Sequence, residues 1–454
     1  MKILLSDASG LTARQAAGRL SSAGHHVEAM SPGWLCLCRF TRHVARVHQV
    51  PGYGADPLGW LDAALGIYHA GGFDMLLPTQ EQVAVLSHSA PRLRAEGVTT
   101  AVPPFEALRA VQDKISAWGT LTALGIPQPA TALLRSADEL RAWRSFPVFI
   151  KIPIGTATTG VRRVGEAAAV SSCADELGAA GLFAGSGVLA QQPADGLLAM
   201  TQAVFADGEM VAAHACLRVR EGAGGGASHK RSLDDPATVL KHVEQLGRAL
   251  RWHGALSVDA VMTGSGPLFI DVNPRLVEPG NAWRSGVDLV GALLEVARGT
   301  VPAAQPPGRP GVATHQLLVA VLGAAAGGRG RRAVAAELKA ALARSGSYRG
   351  SAEELTPLRR DPRTAVPVLL AAAATLVRPA LSRYLVGGSV SGYALTPSGW
   401  DTLLRASPTP TPCAVPVAGS LPGSGTDCGP RRSGRGEQSG AADRPWCQCD
   451  GRDA

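Results

Sequence analysis

The chain has 454 residues, of which 46% are hydrophobic, as is ordinary for a soluble globular protein of about two to four domains. The net charge is +8, but nucleic-acid binding would need a basic stripe with interleaved aromatic residues, and aromatic residues are only 5%, so nucleic acid is not expected as a partner. The eight cysteines form no CxxC pair, which excludes zinc-finger spacing, and a reducing cytoplasm is the simplest location.

The first hundred residues alternate between strand and helix patterns. Strands are predicted at Lys2–Leu5, His26–Met30 and Asp74–Pro78, with a helix after the first strand and another near Trp60–Gly72. This alternation is typical of a parallel doubly wound sheet, in which ligands bind at the carboxyl ends of the strands. Two groups of polar residues follow strands and are therefore candidates, although helix capping explains them equally well: Ser6, Ser9, Gly10 and Thr12, and Thr79, Gln80 and Glu81.

The next segment carries two lysines and a glycine-rich loop. A helix opens at Asp113-Lys114, and the strand FPVFIK ends at Lys151, just before the loop Gly155–Gly160. Only six of the 44 lysine and arginine residues are lysines, so their positions are informative. Backbone N–H groups of such a loop can hold phosphate oxygens, which a lysine at the strand end can reach. A plain β-hairpin loop is the alternative, and the absence of GxxxxGK[ST] excludes a P-loop NTPase.

Several weaker candidates follow in the chain. A strand ends at Gln191 and Gln192, and the turn after it contains Asp195. After a predicted hairpin comes a glycine-rich loop, Glu221–Ser232, which contains His229 and Lys230. Turn formation explains Asp195 as readily as ligand binding does, and His229 and Lys230 are equally well explained as solvated loop residues.

The stretch from Ala255 to Arg275 is predicted to be a hairpin with Gly264-Ser265-Gly266 as its turn. If it folds about Ser265, Thr263 faces Pro267, Val261 faces Phe269, and Asp259 faces Asp271. Directly opposed carboxylates destabilise a sheet, and Asn273 points to the same side as Asp271. A hard divalent cation such as Mg2+, which takes oxygen ligands, would neutralise this cluster. Slipping the assumed register by one residue would scatter it.

The order of these features resembles that of the ATP-grasp superfamily, which includes biotin carboxylase, D-alanine–D-alanine ligase and carbamoyl phosphate synthetase. The resemblance covers roughly residues 1–310 and is strongest at 113–160 and 255–280. It implies a mixed α/β and α+β protein. Its predicted parts are a Rossmann-like domain (1–104), two ATP-grasp lobes (105–185 and 186–302), a helical region (311–403) and a disordered tail (407–454).

The resemblance also implies a role for each matching residue. Lys114 and Lys151 would contact the phosphates and base of ATP, and Gln191 and Gln192 would read the adenine edge. Asp195 would bind the ribose. The loop residues that would close over the phosphates are Gly155, Thr156, Thr158, Thr159 and Gly160. His229 is a further candidate for a phosphate or substrate contact.

The implied catalytic centre lies on the hairpin. Asp259, Asp271 and Asn273 match ligands of Mg2+ (or Mn2+), although the family often has glutamate where aspartate stands here. Arg275 would steady the transferred phosphate, because the guanidinium fork suits bidentate contacts. Arg275 and Lys151 are therefore the predicted catalytic residues.

The function implied is that of an ATP- and Mg-dependent ligase. A small-molecule carboxylate would be activated as an acyl phosphate, which an amine or similar nucleophile would attack to form a carbon–nitrogen bond. Two alternatives stay open: a non-catalytic ATP-binding protein, and an ATP-grasp kinase or transferase that phosphorylates without ligation.

Beyond residue 310, helices are predicted at His315–Ala326, Arg331–Arg344 and Val366–Leu381. The last has an apolar run of under 18 residues, interrupted by prolines and an arginine, so a transmembrane segment is not expected; a buried helix or a membrane-surface contact fits better. These helices would form a cap or the contact of a homodimer. From about Ser407 the composition predicts disorder, and Cys447 and Cys449 in the tail offer only a weak metal-binding pattern.

Overall fold

The computed structural model describes residues 1–156, 159–327 and 330–406. At the N-terminus, a four-stranded sheet has the order β3-β2-β1-β4, with every pairing parallel. Ile3 and Leu5 pack on the side of helix α1, whereas Leu4 packs with Trp60 of α2, so helices cover both faces. The prediction of a doubly wound parallel sheet is confirmed. The elements are β1 (Lys2–Leu5), α1 (Leu11–Ser22), β2 (His26–Ser31), β3 (Arg46–Gln49), α2 (Pro57–Gly71), β4 (Met75–Leu77), α3 (Val83–His88) and α4 (Ala90–Ala95).

A second, antiparallel sheet follows, in the order β5-β8-β6-β7. Its last strand, β8, pairs with β5 and β6, although the boundary predicted at 186 assigns that segment to the second lobe. The elements of this part are α5 (Phe105–Gln112), α6 (Lys114–Ala123), β5 (Thr131–Leu134), α7 (Ala137–Arg141), β6 (Val148–Lys151), β7 (Val161–Val164), α8 (Val170–Ala179) and β8 (Val188–Gln191).

The largest sheet has seven strands in the order β13-β12-β9-β10-β11-β14-β15. The prediction that His229 and Lys230 lie in a loop is wrong, because both are in strand β11. The glycines before the strand make the turn instead, and both side chains are buried. The elements up to residue 297 are β9 (Leu197–Ala206), β10 (Glu209–Glu221), β11 (Ala227–Ser232), α9 (Ala237–Ala249), β12 (Gly254–Thr263), β13 (Gly266–Asn273), α10 (Gly280–Ser285) and α11 (Leu289–Ala297).

The β12–β13 hairpin corrects the predicted register. Its turn has two residues, so Thr263 pairs with Gly266 and Val261 with Leu268. The predicted pairings of Thr263 with Pro267 and of Val261 with Phe269 are therefore wrong. Between the pairs Ala260–Phe269 and Asp259–Asp271 a β-bulge adds one residue, Ile270, to β13. Because the bulge shifts the register by one residue, Asp259 faces Asp271 after all.

The C-terminal region contributes helices and two short strands. His315 lies in a strand, not in the predicted helix, and the predicted helix Val366–Leu381 is divided into two near Pro379, where proline interrupts the helical hydrogen bonds. None of the helices in the described ranges is long and apolar enough to cross a membrane. Thr158, the tail 407–454, Cys447 and Cys449 lie outside the described residues. The elements are β14 (Ala313–His315), α12 (Leu317–Ala326), α13 (Gly330–Leu342), β15 (Ala352–Glu353), α14 (Ala365–Val377), α15 (Leu381–Ser391) and α16 (Pro397–Arg405).

Helix α16 returns to the N-terminal sheet. Trp400 and Leu403 are buried in the same hydrophobic core as Trp60 and Leu61 of α2. The rings of Trp400 and Phe105 also pack in an edge-type arrangement, with their centroids 5.9 Å apart. The last described helix therefore completes the core of the first domain, and the C-terminal region is more than an appended cap.

Candidate functional site

The acidic pair of the hairpin is the centre of the candidate site. Asp259 and Asp271 are cross-strand neighbours, and each side chain is half-buried. Burial, followed by the negative charge of Asp271, raises the pKa of Asp259 to about 7. Asn273 lies two residues beyond Asp271 on β13. A bound cation would relieve the repulsion between the carboxylates, and two carboxylates with an amide oxygen are ligands that suit Mg2+.

This donor set contains only two carboxylates. In the described part of the chain, no group of three or more histidine, cysteine, aspartate or glutamate residues could hold a metal ion. A cation at the hairpin would therefore need the Asn273 amide, water or a phosphate oxygen to complete its shell, as is usual for Mg2+.

Two lysines lie beside the hairpin that carries the acidic pair. Lys151, the last residue of β6, donates from Nζ to the carbonyl oxygen of Ile270, the bulge residue, at 2.7 Å. Lys114 begins α6, and its Nζ lies 3.8 Å from Asp271 Oδ1. Burial lowers the pKa of Lys151 to about 8, with Asp271 opposing and Lys114 assisting the shift. A phosphate placed between these lysines would restore the charge of Lys151.

The helix that carries Lys114 begins where its sequence dictates. The carboxylate of Asp113 accepts hydrogen bonds from the backbone N–H groups of Ile115 and Ser116, as an N-cap residue does. Lys114 Nζ also donates to the carbonyl oxygen of Gly155, at 2.9 Å. The first helical residue therefore ties the helix to the glycine-rich loop.

The glycine-rich loop is closed at its base by its two glycines. A Cβ atom on Gly155 would lie 2.6 Å from the Cα atom of Gly160, so a larger residue does not fit there. Thr159 donates its backbone N–H to the carbonyl oxygen of Thr156. The side chain of Thr156 donates to Glu81 Oε1 at 2.7 Å. The loop thus contacts the N-terminal domain, and its predicted role at the phosphates stays a prediction.

Arg275 is buried just after β13. One guanidinium nitrogen lies 3.4 Å from Glu81 Oε1, the same oxygen that accepts from Thr156. The other oxygen of Glu81 accepts from the backbone N–H of Leu395 at 3.0 Å. Glu81, a residue that follows β4 in the parallel sheet, therefore joins the loop, Arg275 and the C-terminal region.

One C-terminal segment covers the carboxyl edge of the parallel sheet. Ser389 donates to the carbonyl oxygen of Ser9 at 2.9 Å, and the backbone N–H of Thr396 donates to Gly54 at 3.1 Å. With the Leu395–Glu81 bond, each loop after β1, β3 and β4 contacts residues 389–396. Ser9 and Glu81, which the sequence offered as ligand-binding candidates, therefore contact the C-terminal segment in this structure. These contacts join residues far apart in the chain, so local sequence patterns could not predict them.

A buried ionic network lies beside the site. Lys230 Nζ is 2.7 Å from Glu278 Oε2 and 2.8 Å from Glu354 Oε2. Burial opposes its charge, but the two carboxylates raise the pKa of Lys230 above its usual value. Gln316 also donates to Glu278, and Gln15 of α1 donates to Glu354. Sequence reasoning missed Glu354; its only signal was the pair of consecutive glutamates Glu353 and Glu354.

The remaining predicted residues lie in different surroundings. Gln191 is buried and donates to Thr131 at 3.0 Å, while Gln192 donates to the carbonyl oxygen of Ser145 at 3.3 Å. Asp195 is exposed in a loop. Burial lowers the pKa of His229 to about 4, and its ring packs beside other aromatic rings. A neutral ring offers a phosphate a hydrogen bond but no charge, and the roles of these four residues stay predictions.

Comparison with known proteins identifies the architecture. The carboxyaminoimidazole ribonucleotide synthase of Aspergillus clavatus, solved with ATP, is 13% identical at a TM-score of 0.58, over 82% of this chain and 98% of that one. The biotin carboxylase domain of Hydrogenobacter thermophilus 2-oxoglutarate carboxylase, solved with MgADP, ADP and bicarbonate, is 16% identical at 0.53, over 69% and 73%. This is the ATP-grasp fold. An L-amino acid ligase from Bacillus licheniformis has the same ATP-grasp architecture, with 15% identity and a TM-score of 0.50 over 66% of this chain and 75% of that one.

The sequence-based resemblance to ATP-grasp proteins is confirmed at the level of the fold. No protein-family model matches the sequence, and a search of curated proteins also found no match. The three-dimensional comparison, and not sequence similarity, therefore identifies the ATP-grasp architecture. Identities of 13–16% establish the fold alone.

Proposed function

We propose that this chain is an ATP-dependent ligase that forms carbon–nitrogen bonds. The observation that carries the proposal is the convergence of Lys114 and Lys151 on the hairpin of Asp259 and Asp271, with Arg275 just after its second strand. Three cations around two carboxylates on an ATP-grasp scaffold suit a nucleotide phosphate chain and its metal. The similar structures solved with ATP and with MgADP support this assignment.

In the proposed reaction, the γ-phosphoryl group of ATP is transferred to a carboxylate oxygen of the acid substrate, and ADP is released. The amine then attacks the acyl carbon, and phosphate leaves with the carboxylate oxygen. The remaining product is an amide. Neither step needs a covalent enzyme nucleophile, so catalysis would depend on positioning and electrostatic stabilisation.

The residues of the site would divide this work. Lys114 and Lys151 would orient the phosphates as hydrogen-bond donors, and Arg275 would hold the transferred phosphoryl group in its guanidinium fork. Asp259, Asp271 and Asn273 fit Mg2+ or Mn2+, which when bound would neutralise charge on the phosphates. The glycine-rich loop would exclude water from the reacting groups.

A screen of carboxylic acids against amines and amino acids, with Mg-ATP, tests the proposal. We expect phosphate release only where an acid and an amine are both present, and none from the Asp271→Asn variant. ADP formation with the acid alone and a stable phosphorylated product would indicate a kinase. Tight binding of Mg-ATP without turnover across the panel would indicate a non-catalytic protein. A cytoplasmic location and a homodimer remain predictions.

A further inference from the structure

A cavity of about 280 Å3 lies outside the proposed nucleotide site. It is bounded by α1, by α10 and the start of α11, and by the turn that follows β15. Its most frequent lining residue is arginine, and the arginines come from four separate parts of the sequence. They are Arg14 and Arg19 of α1, Arg42, Arg284 of α10, and Arg360.

The carboxylates in the lining are already engaged. Asp288 accepts two hydrogen bonds from Arg19, at 3.0 and 2.5 Å. Glu354 is paired with the buried Lys230 at 2.8 Å. Among the lining residues that the structure describes, Asp288 and Glu354 are the only carboxylates, so no lining carboxylate is left to balance the charge of the other arginines.

Three arginines supply the unbalanced charge. Arg14 pairs with Asp361 at 3.4 Å. Arg42, Arg284 and Arg360 are exposed, and the Arg284 guanidinium donates to the carbonyl oxygen of Glu353 at 3.2 Å. Across the ranges that the structure describes, none of these three takes part in an ion pair. The cavity therefore has an excess of about three positive charges, which would attract a multiply charged anion.

Part of the lining is apolar. Pro279, Trp283 and Val287 form this part, and the indole of Trp283 is 48% exposed. The guanidinium of Arg19 stacks on this ring, 4.3 Å from its centroid. An apolar wall beside a cationic rim suits a ligand that has an organic body and an anionic head.

We propose that this cavity binds a small organic phosphate. The guanidinium groups of Arg42, Arg284 and Arg360 would hold the phosphate, because their planar forks make paired, charge-assisted hydrogen bonds to its oxygens. The organic body would lie against Trp283. A volume near the lower end of the range for small-molecule sites, about 300–1,000 Å3, fits a small ligand and no macromolecule. The proposal does not depend on the proposed ligase activity.

Isothermal titration of the full chain with phenyl phosphate, at low salt and pH 8, tests this site. We expect one saturable site, which Arg284→Ala and Arg360→Ala each weaken by about tenfold. The matched control is Arg94→Ala, an exposed arginine of α4 outside the cavity, which should bind like wild type. Lys151→Ala should also bind phenyl phosphate in the cavity like the wild type, because Lys151 does not line the cavity. Benzenesulfonate, which carries one negative charge fewer, should bind at least about tenfold more weakly.

Three results would overturn the proposal. The first is the absence of saturable binding. The second is a loss of binding in Lys151→Ala with none in the cavity variants, which would place phenyl phosphate at the nucleotide site. The third is an equal loss in Arg94→Ala, which would indicate general attraction to surface charge. Thermal unfolding of each variant checks that the exposed substitutions leave the fold intact.

Discussion

Asp259→Asn should stabilise the ligand-free protein while it removes metal binding. Burial and the charge of Asp271 raise the pKa of Asp259 from 3.8 to about 7 in the folded chain. Asp259 therefore ionises more easily in the unfolded chain than in the folded one. Ionisation of Asp259 lowers the free energy of unfolding, and this loss grows as the pH rises from 3.8 to about 7. Asparagine has nearly the same shape and no charge, so the variant avoids this loss.

The magnitude follows from the two pKa values. The difference between 3.8 and about 7 is equivalent to ~4 kcal/mol at 1.36 kcal/mol for each tenfold change. Because the side chain is half-buried and still touches water, we expect about half of this, ~2 kcal/mol. That corresponds to a rise in Tm of about 2–4 °C at pH 8. About a third of the effect is present at pH 5, so the advantage of the variant should grow between pH 5 and pH 8.

Differential scanning calorimetry at pH 5, 7 and 8 measures this difference, with Asp195→Asn as the matched control. Asp195 is exposed, so its substitution should leave the Tm unchanged. Mg-ATP should then raise the Tm of the wild type but not that of Asp259→Asn. A variant that is less stable than wild type at pH 8, or a difference that does not depend on pH, would refute the electrostatic reasoning.

Three further predictions concern the neighbouring charges. Asp271→Asn should abolish phosphate release in the acid–amine screen while the circular dichroism spectrum stays that of the wild type; wild-type turnover would contradict the metal assignment. Because the pKa of Lys151 is lowered to about 8, its charge is lost above that pH, and nucleotide affinity should fall between pH 7 and pH 9.5; Lys151→Arg should remove this fall in a fluorescent-nucleotide titration. Lys230→Met should destabilise the protein by about 3–5 kcal/mol in urea unfolding, because it leaves the buried Glu278 and Glu354 without their cation. An unchanged free energy of unfolding would contradict the need of these two carboxylates for the lysine.

Local chemistry made much of the site predictable. The alternation of strands and helices indicated the parallel sheet, and the rarity of lysine drew attention to Lys114 and Lys151. The facing of Asp259 and Asp271 was also predicted, but through a register that proved wrong. A two-residue turn moved the pairing by one residue, and the bulge at Ile270 moved it back.

The bulge could not be read from the sequence, because it depends on how β12 and β13 twist within the seven-stranded sheet. It also places the Ile270 carbonyl oxygen where Lys151 Nζ binds it. The bulge at Ile270 therefore positions both the acidic pair and the contact of Lys151, and no residue pattern in the sequence predicts it.

Long-range packing decided the rest. Lys230 and Glu354 are 124 residues apart in the chain, and Glu81 meets Leu395 across 314 residues. Sequence patterns report local propensity and periodicity, which determine the elements and the types of side chain that they carry. Which distant side chains become partners depends on how those elements pack, so the buried ionic network and the covered sheet edge were decided by the tertiary structure alone.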